Sequence, residues 1–98
     1  EIIAYLGYKG ELDQLSYWHA YSGEEVDAII GDAKIAIEIK SADEIQRKHT
    51  ESLREFAKEH PNAKLIVVSR DKITRQSGGI DLYYATDFFK ALWNGELF

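Results

Sequence analysis

The feature that most constrains this chain is the stretch from Glu24 to Lys40, "EEVDAIIGDAKIAIEIK", two β-prone runs separated by a short turn. Residues directly opposite each other across an antiparallel pair share a face, and successive residues alternate faces. If Asp32 and Ala33 form a two-residue turn, Gly31 faces Lys34 and Asp27 falls opposite Glu38. If Gly31 and Asp32 form it, Asp27 faces Ala36, two residues from Glu38 on the same side. Either register gathers Val26, Ala28 and Ile30 with Ile35, Ile37 and Ile39 on an entirely apolar face. Glu25, Asp27, Glu38 and Lys40 are then expected on the other. A register shifted by one would set Asp27 among the isoleucines, so burial selects against it.

Two ionised carboxylates about 5 Å apart repel by roughly 1 kcal/mol in water and about 3 kcal/mol at an effective dielectric of 20. Lys40 offsets part of that repulsion, and a hard divalent cation such as Mg²⁺, held by one or two carboxylates, would offset more. Such an ion polarises phosphoryl oxygens, and a nearby ammonium can orient the attacking water. The same spacing also suits solvated charges on a wet sheet face, with Lys40 in an ordinary cross-strand pair. Coverage of that face by the elements that follow favours the first reading, because covered charges need a partner.

Those elements can be read off the pattern. "EIIAYLGYKG" opens a first helix that Gly7 and Gly10 close, and "QLSYWHAY" alternates as a strand. "SADEIQRKHTESLREFAKEH", Ser41 to His60, sets Ile45, His49, Leu53, Phe56 and Ala57 near one helical face. "KLIVVSR" is a continuous apolar run of strand length, expected for a central strand covered on both sides. "DKITRQSGG" reads as a polar, mobile loop, "IDLYYA" as a last strand, and "DFFKALWNG" as a closing helix capped by Thr86 or Asp87. The predicted order is α-β-β-β-α-β-β-α. It implies an α/β (α+β) fold with a mixed central sheet flanked by helices.

A chain of 98 residues suits one domain, residues 1–98, burying roughly two-thirds of its unfolded surface. Because it starts inside a helix pattern, it is expected to be a fragment of a longer chain. Having no cysteine, it can form neither disulfides nor thiolate metal sites, and this agrees with an expected cytoplasmic location. No apolar run approaches the ~20 residues that span a bilayer. The net charge of −5 weighs against a strongly polyanion-binding surface, although a cation held by carboxylates reverses the local sign. The plausible phosphate-contacting clusters are Lys72 with Arg75, and Arg47 with Lys48; each also reads as solvated charge. His19, His49 and His60 read as surface residues rather than ligands. The chain contains no Gly-rich phosphate-binding loop, which ranks a nucleotide-binding domain low.

Asp27, followed eleven residues later by Glu38-Ile39-Lys40, resembles the D…(D/E)-x-K signature of the PD-(D/E)xK nuclease superfamily of restriction endonucleases and junction resolvases. The order αβββαβ is similar to its restriction-endonuclease-like core. "LSYWHAYSGEEVDAII", "IAIEIKSA", "AKLIVVSRD" and "FFKALWNGEL" resemble, over nearly the whole chain, the C-terminal domain of predicted AAA+-type ATPases of bacteria and archaea. That region is usually labelled a domain of unknown function. The resemblance implies Asp27 and Glu38 as metal ligands with the main-chain carbonyl of Ile39. It implies Lys40 as the residue that orients water or stabilises phosphorane charge, and Glu1 as an additional acid from the first helix. The truncated, frayed start of that helix is an equal reading of Glu1. The superfamily's proline before the aspartate is replaced by Val26, and His19 stands where relatives usually carry arginine. The implied function is Mg²⁺- or Mn²⁺-dependent hydrolysis of DNA by a domain attached to an ATPase. The alternative is a catalytically silent module for oligomerisation or regulation of that ATPase. DNA, the ATPase portion of the same chain and further copies are the implied partners, with no membrane.

Overall fold

A computed structural model describes residues 2–10, 14–19, 23 and 25–97. Helix α1 (Ile2–Lys9) is followed by strands β1 (Leu15–His19), β2 (Glu25–Ile30) and β3 (Ile35–Ile39). A 3₁₀ turn (Arg47–Thr50) leads into α2 (Glu51–Glu59), then β4 (Lys64–Ser69), β5 (Arg75–Ser77), β6 (Ile80–Tyr84) and α3 (Ala85–Trp93). The strands form one six-stranded sheet in the order β1-β2-β3-β4-β6-β5. Pairings on either side of the centre are antiparallel, whereas β3–β4 and β4–β6 are parallel, giving a mixed α+β sheet. No helix among the described residues is long and apolar enough to cross a membrane.

The central strand β4 is apolar from Leu65 to Val68 because helices cover both of its faces. Ile66 and Val68 join Ile2 and Tyr5 of α1 and Phe88 and Leu92 of α3 in one cluster. Leu65 and Val67 join Leu53 and Phe56 of α2 in the other. Trp18 of β1 meets the Phe56 ring edge-on at 5.6 Å and closes the α2 side.

The β2–β3 hairpin takes the first of the two anticipated registers, pairing Ala28 with Ile37, Ile29 with Ala36 and Ile30 with Ile35. Asp32 and Ala33 therefore lie at the turn, and Ala33 adopts a left-handed φ of 57°. The expected faces hold only in part. Ala28, Ile30, Ile35 and Ile37 share the α1/α3 cluster, but Val26 lies in the α2 cluster and Ile39 is 55% exposed. The cause is a bulge. The β1–β2 register slips by one between Ser16↔Ile29 and Trp18↔Val26, so Asp27 and Ala28 stand together against Tyr17. The extra residue inverts the alternation beyond it. Asp27 consequently shares a cleft with Ala28, Val68 and Phe88 on the α1/α3 side, not the side turned away from the isoleucines.

Four other expectations are corrected. The segment read as a mobile loop contains β5, which pairs with β6 as Gln76↔Asp81 and Ser77↔Ile80. Gly78 and Gly79, at φ 58° and 81°, supply the two left-handed residues that such a two-residue hairpin turn requires. The middle helix begins at the 3₁₀ turn rather than at Ser41, because the Ile45 N–H is taken by the Asp71 carboxylate (2.8 Å) and the Gln46 N–H by His49 Nδ1 (2.9 Å). Helix α3 starts directly from Tyr84 without a side-chain cap, and Gly7 lies within α1 rather than ending it. Asp87 instead accepts from Thr74 Oγ1 at 2.6 Å, and that hydroxyl accepts the Tyr84 N–H at 3.0 Å.

Candidate functional site

The β2–β3 ladder ends at Ala28↔Ile37, so the next pair in register, Asp27 and Glu38, stands where the hairpin opens. There the Ile39 N–H donates to Asp27 Oδ2 at 2.8 Å, so a side chain completes the edge that the main chain leaves. Glu38 is buried, 3% exposed. Its carboxyl is pushed up to about 8, first by burial, then by its hydrogen bond to the Asp27 side chain and by the Asp27 charge. The Lys40 ammonium and a hydrogen bond from the Asp27 main chain pull the other way and lose. At neutral pH the protonated Glu38 carboxyl therefore donates to Asp27. The proton that Glu38 holds relieves the repulsion anticipated between the two acids.

Lys40 is held at the end of β3 by its N–H, which donates to the Val68 carbonyl at 2.9 Å. With Asp27 and Ile39 it lines a cleft of about 470 Å³ bounded by α1, α3 and the ends of β3 and β4. Asp27 and Lys40 thus line one cleft, and Glu38 touches Asp27 without lining it; the bulge takes Asp27 off the face that simple alternation would have it share with Glu38.

The remaining candidates are dispersed. Glu1 lies outside the described residues. Lys72 is exposed. Arg75 is engaged: Nη2 donates to Asp71 Oδ2 (3.1 Å) and Nη1 to the Ile73 carbonyl (2.8 Å). Arg47 and Lys48 occupy the 3₁₀ turn, both exposed. His19 is exposed and 3.9 Å from Glu25, His49 caps the 3₁₀ turn, and His60 packs on Phe56 with ring centres 4.6 Å apart.

Sequence reasoning missed Asp71. It is buried, accepts from the Ile45 and Ile73 amides as well as from Arg75, and those bonds bring it down to about 2. Together with the Arg70 N–H, which donates to the Ala42 carbonyl at 3.2 Å, it fastens the connection after β3 to the end of β4, beside the cleft. An aspartate two residues past a buried strand, and two residues before an amide it can accept, was the available signal.

Two carboxyls in contact supply oxygen donors of the kind hard divalent ions take. Among the described residues, no group of three or more His, Cys, Asp or Glu side chains converges on one point. No curated protein and no solved structure matches the chain. Residues 1–88, by contrast, match the family described as a domain of unknown function, DUF4143, and the chain belongs to that family.

Proposed function

We propose that this domain is a metal-dependent phosphodiesterase of the PD-(D/E)xK type, acting on DNA and attached to an AAA+-type ATPase portion of the same chain in the cytoplasm. The observation that carries the reading is the contact between the Asp27 and Glu38 carboxyls beside the Lys40 ammonium at the open end of the hairpin. Asp27 and Glu38, with the Ile39 carbonyl, would hold Mg²⁺ or Mn²⁺. When bound, such an ion supplies Lewis-acid polarisation of a phosphoryl oxygen. The Asp27 contact to the Ile39 amide fixes its carboxylate, leaving the pair preorganised rather than swinging free. Lys40, anchored through its main chain to β4, orients water and balances the charge that develops on the phosphoryl group.

Two observations favour a second reading, a catalytically silent module serving oligomerisation or regulation of the ATPase. They are the net charge of −5 and the want of a third convergent acid among the described residues. Calorimetric titration of Mn²⁺ and Mg²⁺ into wild type and Asp27→Ala separates the two, combined with incubation of a longer chain with supercoiled, branched and single-stranded DNA. The hydrolytic reading expects ion binding that the substitution abolishes, together with cleavage. Wild type that binds neither ion and cuts none of these substrates would establish the silent module.

A further inference from the structure

We infer that the cleft beside the carboxylate pair receives one unstacked nucleobase of single-stranded DNA, its phosphate lying over Lys40 and Arg70; this rests on the phosphodiesterase reading and names its substrate. The cleft's chemistry is divided along its length. Its polar lining, Asp27, Lys40, Ser41, Ser69 and Arg70, lies at the start of β2 and the ends of β3 and β4. Since β2 runs antiparallel to β3 and β4 parallel to it, these residues share one end of the sheet. The rest of the lining is apolar, contributed by Leu15, Ala28, Val68, Phe88 and Phe89 among others.

An occupant with an anionic head and a flat apolar body matches that division. The volume, about 470 Å³, falls within the roughly 300–1,000 Å³ of small-molecule sites. Ile39 is the telling residue. It sits between Glu38 and Lys40 and lines the cleft, yet leaves over half its surface to solvent. An aliphatic side chain at that point offers a contact surface to whatever is held by its charged neighbours. Arg70 is available to a phosphate because its ion pair with Asp43, at 3.0 Å, is exposed on both sides and exchanges at little cost. Bases stacked in a duplex cannot enter such a cleft, whereas a single strand presents them without unpairing.

The test compares a short single-stranded oligonucleotide bearing 2-aminopurine at its centre with the same strand abasic there, in Ca²⁺ to suppress cleavage. Binding is read by anisotropy of an end label. The intact strand is expected to bind roughly 5- to 100-fold more tightly than the abasic one, with 2-aminopurine emission changed on binding. Leu15→Ser and Phe89→Leu should each weaken the intact strand towards the abasic level and leave the abasic strand unaffected; the second, still apolar, stands in should the first perturb folding. Equal affinity for the two strands, or variants that weaken both alike, would overturn the pocket. If Mn²⁺ binding and cleavage persist in that case, the pocket alone falls. Discrimination retained without ion binding or cleavage supports the pocket and removes the hydrolytic reading.

Discussion

Replacing Glu38 by glutamine should make the protein more stable at pH 8 and nearly unchanged at pH 5. In the folded chain the Glu38 carboxyl is raised from 4.5 to about 8, so between those values the native state holds a proton that the unfolded chain has released. Stability then falls as pH rises through that window and levels off above it. The full shift would correspond to about 5 kcal/mol at 1.36 kcal/mol per pH unit, an upper bound. The neighbouring cleft is open to water, which screens the charge on Glu38, so about 2 kcal/mol is the expected difference. Glutamine keeps the shape, donates to Asp27 as the protonated acid does, and does not titrate. Urea unfolding followed by tryptophan fluorescence at pH 5 and pH 8 gives the difference between wild type and Glu38→Gln, in which other titrating groups cancel. A variant advantage at pH 8 that disappears at pH 5 is the expected result. An equal difference at both pH values would refute the reasoning, since it would mean that Glu38 ionises as freely folded as unfolded.

Mg²⁺ binding at pH 7 should release about 0.9 proton, because the pair must give up the proton on Glu38; calorimetry in buffers of different ionisation enthalpy measures it. Phe56→Ala, at a side chain buried between Trp18 and His60, should cost about 3–5 kcal/mol in urea unfolding. Gly78→Val should cost about 1–2 kcal/mol from its left-handed backbone alone, whereas Gly78→Asn should unfold close to wild type. Asp71→Asn should lower the urea midpoint at pH 5. The gap should close as pH falls from 3.8 through about 2, because a carboxyl held low in the fold stabilises only while ionised.

The strand β4 and the hairpin turn were legible because their signals are local: an unbroken apolar run, and two candidate turns that both put Asp27 near Glu38. The bulge was not. "EVDAI" alternates perfectly on paper, and only the pairing of Ser16 with Ile29 and of Trp18 with Val26, partners on another strand, reveals that Asp27 and Ala28 share one partner. Strand β5 was hidden because Arg75, Gln76 and Ser77 carry no apolar face, although the Gly-Gly pair beside them was the mark of a hairpin. The late start of α2 and the burial of Asp71 have one cause, the bond from the Ile45 amide to a carboxylate 26 residues on, which no pattern within the helix records. For the site itself, the residue types and their strand positions could be read, whereas the protonation that couples them depends on burial the sequence does not show.

The account depends on Glu38 holding a proton beside the Asp27 carboxyl that a divalent cation can displace. A ¹³C NMR titration of the Glu38 side-chain carboxyl, with and without Mg²⁺, tests this most directly. The predicted result is a midpoint near 8 in the free protein and a marked fall on adding the ion. A Glu38 midpoint near 4.5 that neither Asp27→Asn nor Mg²⁺ moves would contradict it.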